Sequence, residues 1–135
     1  MGLNKIVDFS IAKLLKEKRF VKPVKQRYLI AENIDSDRFP FLQEECALHN
    51  WNDYDDSSTT YYSAPTISEV VCWIYSKYQI WIQVSILKDD EWRYSIRRKD
   101  NNWNIEFPTK GKYISIENAY EKGINVVLNT YKPKS

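Results

Sequence analysis

His49 is the only histidine in the chain, so any Ser–His or Cys–His nucleophilic pair must use it. Cys46 lies three residues earlier, but on a strand that spacing points the two side chains to opposite faces. Cys46, His49 and Cys72 offer three zinc-ligating atoms at a spacing that matches no standard site, with the fourth ligand missing. Asp53, Asp55 and Asp56 resemble part of a calcium loop that lacks the required glycine and terminal bidentate Glu; a hydrogen-bonded turn is the reading that remains. Glu44-Glu45 and Asp89-Asp90 are adjacent carboxylates, which diverge on a regular element instead of forming an acid–base pair. None of the three glycines belongs to a phosphate-cradling loop. These residues lead to an expectation of no enzyme, no catalytic group, no metal and no cofactor.

The chemistry that stands out is recognition. Trp81, Gln83, Ser85, Arg93, Ser95 and Arg97 fall at alternate positions of two apolar–polar runs, joined by Asn104 of a third. Alternation places them on one face of a sheet. A Trp beside two arginines on an open sheet can stack bases and hold phosphates, and Arg98, Lys99, Lys110 and Lys112 extend the basic character. Trp81, Gln83, Arg93 and Arg97 are therefore the candidate binding surface. Large aromatics are usually buried, so the expectation for Trp81 is cover by another element, with the arginines at the rim.

The elements that position this face begin at Ser63. Thr66-Ile-Ser-Glu69 fits a capping box, and Ile67, Val70, Val71, Ile74 and Tyr78 follow at helical spacing. Trp73 lies off the centre of that stripe, so it packs at a flank or is exposed. The period then switches to two: Ile80, Ile82, Val84 and Ile86 share one face, then Trp92, Tyr94 and Ile96, then Trp103, Ile105 and Phe107. This predicts a three-stranded antiparallel meander with one face on a core. Parity sets Ile86 opposite Trp92, closed by an odd loop such as Lys88-Asp89-Asp90, and Ile96 opposite Trp103. Ser115 caps a final helix with Ile116, Ala119, Tyr120, Gly123, Val127 and Tyr131 on its buried stripe; a close approach to the sheet would explain Gly123.

Upstream, Asp8 caps a helix over Phe9 to Lys18. Tyr28-Leu29-Ile30 is a predicted strand. Phe39 to Leu42, broken by Pro40, reads as a loop packed on the core. Glu45 to Trp51 and Thr59 to Tyr62 read as a hairpin across a polar turn. The basic residues from Lys16 to Arg27 read as a solvated face and linker.

The chain has 135 residues, with 20 Lys plus Arg against 18 Asp plus Glu. That length suits one α+β domain over residues 1–135: an N-terminal helix and β-hairpin region, then helix, three-stranded antiparallel meander and helix. The net charge of +2 is too balanced to imply nucleic acid or membrane by itself. Charges in Gly2 to Ile11 argue against a signal peptide, and no apolar run is long enough to span a bilayer. A cytoplasmic protein with free thiols at Cys46 and Cys72 and no membrane partner is expected.

The helix–three strands–helix order from Thr66 to Tyr131 resembles a double-stranded-RNA-binding domain in topology. Where such domains carry a basic cluster at the start of the last helix, this chain has Ser115-Ile-Glu-Asn118. Ser63-Ala-Pro-Thr66, the helix holding Trp73, the Tyr78-Gln-Ile-Trp81-Ile strand, the Trp92 hairpin and the late helix with Glu117, Ala119 and Tyr120 resemble a group of small uncharacterised proteins from prophages and mobile elements of gut bacteria. That resemblance brings no activity, ligand or site residues. The leading expectation is a non-enzymatic binding or accessory module acting through a protein partner or self-association. The alternative is a nucleic-acid-binding protein using the face with Trp81, Arg93 and Arg97.

Overall fold

A computed structural model describes residues 2–32, 34, 36–54, 56–88, 91–108 and 112–134, with the side chains of Phe107 and Pro108 excepted. The chain is α+β, with three α-helices and two three-stranded antiparallel sheets among the described residues. It divides into two compact units, Ile6–Pro65 and Met1–Lys5 together with Thr66–Ser135.

In the first unit, Asp8 caps α1 (Phe9–Glu17) by accepting from the Ile11 amide at 3.0 Å. The sheet has the order β2–β1–β3, with β1 at Arg27–Ala31, β2 at Phe41–Gln43 and β3 at Thr59–Ser63. The predicted hairpin between Glu45–Trp51 and Thr59–Tyr62 does not form. β3 pairs instead with β1, Tyr28 opposite Tyr62, because the segment before Trp51 is held elsewhere. His49 and Val24 exchange both backbone hydrogen bonds, at 3.0 and 3.1 Å. Phe41 and Leu42, expected in a loop, enter β2 directly after the cis peptide at Pro40. Phe9 packs edge-on against Tyr28 and Tyr62, at 5.6 and 4.9 Å. Buried Asn52 stitches this unit together: its Nδ2 donates to the Phe20 carbonyl and its Oδ1 accepts from the Ser63 amide, both at 2.8 Å.

The second unit is the helix, meander and helix that the hydrophobic periods predict. α2 (Ile67–Tyr78) opens on the complete Thr66–Glu69 capping box. β4 (Ile80–Lys88), β5 (Glu91–Arg98) and β6 (Ile105–Pro108) follow in that spatial order, and α3 (Ile116–Thr130) is capped by Ser115. Ile86 lies opposite Trp92 as parity requires. The predicted odd loop is replaced by a bulge: Lys88 pairs with Glu91, which leaves Leu87 as the extra residue. Residues 89 and 90, including the predicted αL position, lie outside the described residues.

Ile67, Val70, Ile74 and Tyr78 of α2, Ile80 and Ile82 of β4, Ile96 of β5, and Ile124, Val127 and Leu128 of α3 form a core excluded from water. Trp73 packs at its flank, edge-on to Tyr78 at 5.7 Å. Gly123 marks the close approach expected of it: a Cβ there would meet Ile82 Cγ2 at 2.9 Å and the Tyr94 ring at 3.3 Å. Lys5 ties the N-terminal residues to this unit through a 2.9 Å ion pair with buried Glu121.

Candidate nucleic-acid interface

Alternation along β4 and β5 sends Trp81, Gln83 and Ser85 to the side away from the core, with Arg97, Ser95 and Arg93 directly opposite them in register. Each Trp81 and Ser85 thus has an arginine as its cross-strand neighbour. Trp81 lacks the burial expected of it. The side chain is 41 % exposed, and the ring beside it, Tyr75, is itself half exposed.

Two local backbone features build an aromatic cluster at this point. Gln79 alone connects α2 to β4, in the left-handed region at φ 56°. The reversal is so short that Tyr75, from the last turn of the helix, meets Trp81 edge-on at 5.8 Å. The second feature lies after β5. A 3-10 turn at Lys99–Asn101 leads into two consecutive left-handed residues, Asn102 at φ 53° and Trp103 at φ 60°.

This turn overturns the predicted pairing of Ile96 with Trp103 and the placement of Trp103 and Ile105 on the core face. Ile96 lies opposite Phe107, and one extra residue at Glu106 sets Ile105 opposite Arg97 on the outer side, where it is exposed. Trp103 stacks on Tyr75, with ring centres 5.9 Å apart and planes 16° from parallel.

A bulky residue at positive φ is a true backbone outlier, and the conformation costs roughly 1–2 kcal/mol. An aromatic pair returns about 0.5–1.5 kcal/mol, so the stack roughly offsets the strain. Glycine would hold this turn without cost; the tryptophan contributes its ring.

Arg97 sits beneath the cluster. Its Nη1 donates to the Trp103 carbonyl at 3.0 Å and its Nε to Gln83 Oε1 at 3.3 Å. A recess of about 260 Å³ is lined by Tyr75, Trp81, Arg97 and Trp103. A second, of about 240 Å³, shares Tyr75 and Trp103 and adds Lys99. A third, of about 160 Å³, shares Arg97 and runs past Gln83 and Ser85 to Arg93 and Ile105.

Among the described residues, the carboxylates near this face are already engaged. Arg98 holds Glu106 at 2.6 Å, Lys134 holds Asp100, and Lys112 lies 3.7 Å from Glu91. The Lys134 contact holds the Asp100 carboxyl below its ordinary range. No carboxylate among the described residues pairs with Arg93, Arg97 or Lys99. Arg98 and Lys112, expected to extend the basic surface, are thus neutralised, and Lys110 lies outside the described residues. The arrangement offers partly exposed flat rings beside Arg97, whose hydrogen bonds among the described residues go to neutral partners.

The other candidates do not assemble. His49 packs edge-on against Trp51 and Tyr54, at 4.8 and 5.8 Å. Cys46 and Cys72 are free thiols. Asp56 caps its own turn by accepting from the Ser58 amide at 3.1 Å; Asp55 lies outside the described residues. Among the described residues, no group of three His, Cys, Asp or Glu side chains is placed to hold a metal, and no helix is long and apolar enough to cross a membrane. No family model, curated protein or solved structure matches the chain.

Of the site residues, Trp81, Gln83, Arg93 and Arg97 come together on one face as parity predicts. Tyr75 and Trp103 were missed. The signal for Tyr75 was its position in the last turn before a one-residue link. Trp103 had none, since nothing in its neighbours marks a left-handed tryptophan.

Proposed function

We propose that this protein is a non-enzymatic binding module that holds single-stranded nucleic acid on the outer face of β4, β5 and β6. The observation that carries this reading is the partly exposed Tyr75–Trp103 stack with Trp81 edge-on beside it, set over Arg97 on a face where Arg93 and Arg97 have no ion pair with a carboxylate among the described residues. Unpaired bases present flat faces on both sides, and stacking on such rings is worth about 1–3 kcal/mol per base. Arg93, Arg97 and Lys99 line the recesses of this face and supply phosphate contacts along the strand. A duplex keeps its bases stacked on each other, so this face favours single strands.

Titration of tryptophan fluorescence with single- and double-stranded DNA and RNA tests the proposal. The expected result is saturable quenching by single strands, weakened in both Trp81→Ala and Arg93→Ala. Three phosphate contacts give a slope of log K against log salt of about −2. No response to any oligonucleotide at low salt overturns it. A second reading, contact with a protein, is favoured by a different feature: the apolar end of β4, where Ile86 and Leu87 are exposed.

A further inference from the structure

β4 is an edge strand. Its one neighbour in the sheet is β5, and no other described residue makes a backbone hydrogen bond to it. Natural edge strands are blunted by charge, proline, short length or cover. β4 is nine residues long, contains neither Pro nor Gly, and carries no charge before Lys88. Its bulge lies at Leu87, near the end, and leaves Ile80 to Ile86 regular. Ile86 is 57 % and Leu87 41 % exposed.

We propose that two copies of this chain associate through β4, antiparallel about a two-fold axis at Val84, to make one six-stranded sheet. The residue pattern fits a second copy as the partner, and the axis at Val84 brings the most of the strand into the pairing. About Val84, the exposed Ile86 of one copy faces Ile82 of the other on the core side. Leu87 falls beside Trp81, and Gln83 faces Ser85 on the outer side. From Trp81 to Leu87 apolar thus meets apolar and polar meets polar, and only at the two ends of the pairing does Lys88 fall opposite Ile80. Moving the axis to Ser85 sets Gln83 against Leu87 and Ile82 against Lys88. The only charges, the two Lys88 side chains, lie eight residues apart across the axis, roughly 26 Å at strand rise. A two-fold interface must be complementary to itself, and an uncharged strand with this symmetry meets that condition. The association does not rest on the nucleic-acid reading.

Sedimentation equilibrium of the full chain across a wide concentration range tests it. The expected mass rises from 16.1 kDa to twice that value. The double variant Gln83→Glu/Ser85→Glu sets carboxylates opposite one another at two places, on side chains that are exposed. It should remain monomeric with unchanged circular dichroism. Mixing it with Gln83→Lys/Ser85→Lys should restore the dimer. A wild-type chain that stays monomeric, a dimer that survives the Glu pair, or a Glu variant that the Lys variant fails to rescue would each overturn the pairing. Hydrogen exchange gives a check without any variant: edge-facing amides of Ile82 to Ile86 should gain protection as wild-type concentration rises. Protection that is independent of concentration refutes the inference.

Discussion

Each unit of this chain contains an arginine among aromatic rings, and the two clusters differ in what they leave open. In the Ile6–Pro65 unit, Arg27 lies between Trp51 and Tyr61, with its guanidinium 4.2 and 4.3 Å from the two ring centres. Its Nε donates to Gln43 at 2.6 Å. Trp51 is 7 % exposed, and its indole N–H donates to the Val24 carbonyl at 3.1 Å. Both faces of the cation and the polar atom of the ring are spent inside the protein.

In the other unit, Arg97 has rings beside it, but Trp81, Tyr75 and Trp103 keep surface in contact with solvent. Neither indole N–H there has a partner among the described residues, whereas Trp51 does. Residue type is nearly the same in the two places. Coverage separates a structural cation–π pair from a surface able to bind.

The largest break in this comparison is expected from Trp51→Ala. Truncating a buried tryptophan costs about 3–5 kcal/mol, which urea unfolding should register, while single-strand binding by the folded fraction stays as in the wild type. Trp81→Ala reverses the pattern. Stability should fall by about 1 kcal/mol through loss of the edge-on contact with Tyr75, and binding should weaken by the 1–3 kcal/mol typical of a stacked base, roughly 5- to 150-fold. If Trp81→Ala unfolds the protein as Trp51→Ala does, the two clusters are both structural.

Gly123→Ala probes the core behind the open face. Helix propensity favours alanine by up to about 1 kcal/mol, but the added methyl enters a space already closed by Ile82 and Tyr94. Overpacking of this kind costs about 1–3 kcal/mol, so the variant should be less stable by about 1 kcal/mol in thermal unfolding. A more stable variant would show that the approach of α3 to the sheet is loose.

Trp103→Gly sharpens the comparison at smaller scale. Relief of the left-handed strain and loss of the stack offset one another, so stability should change by less than about 1 kcal/mol. Binding should fall by a factor similar to that of Trp81→Ala. Retained binding would assign Trp103 to the turn alone.

Tyr78→Phe should be the mildest change. The hydroxyl is fully buried and has no partner among the described residues, so removing it should stabilise the fold by about 1 kcal/mol. It should also make the fold more resistant to alkali. Burial raises the phenols of Tyr78, Tyr94, Tyr120 and Tyr131 above the ordinary 10.0. The folded state therefore keeps these protons to higher pH than the unfolded chain does. Their contribution to stability is full below about pH 10 and is lost as pH rises through the raised values. Tyr78→Phe removes one such group, so its pH–stability curve should bend downward less steeply above pH 10 than that of the wild type.

What the sequence by itself determined lies within a few residues of its signal. Asp8, Thr66–Glu69 and Ser115 cap helices where their spacing says they must, since a cap needs only residues three apart. The alternation of β4 and β5 set Trp81, Gln83, Arg93 and Arg97 on one face, because parity propagates along a regular strand without help. The close approach at Gly123 was legible as a glycine on a buried helical stripe.

The tertiary structure alone decided where parity stops. One extra residue at Glu106 and two left-handed residues at Asn102 and Trp103 moved Ile105 and Trp103 from the expected core face to the outer one. Such a step costs only about 1–2 kcal/mol, too little to leave a mark in composition and small enough for one ring stack to offset. Partner choice was equally non-local. β3 joins β1 and not the nearer segment before Trp51, because the His49–Val24 bridge and the Arg27–Trp51 contact hold that segment from residues far along the chain. Whether Trp81 is covered belongs to the same class, since exposure depends on which elements remain to pack over a face once the core has been filled.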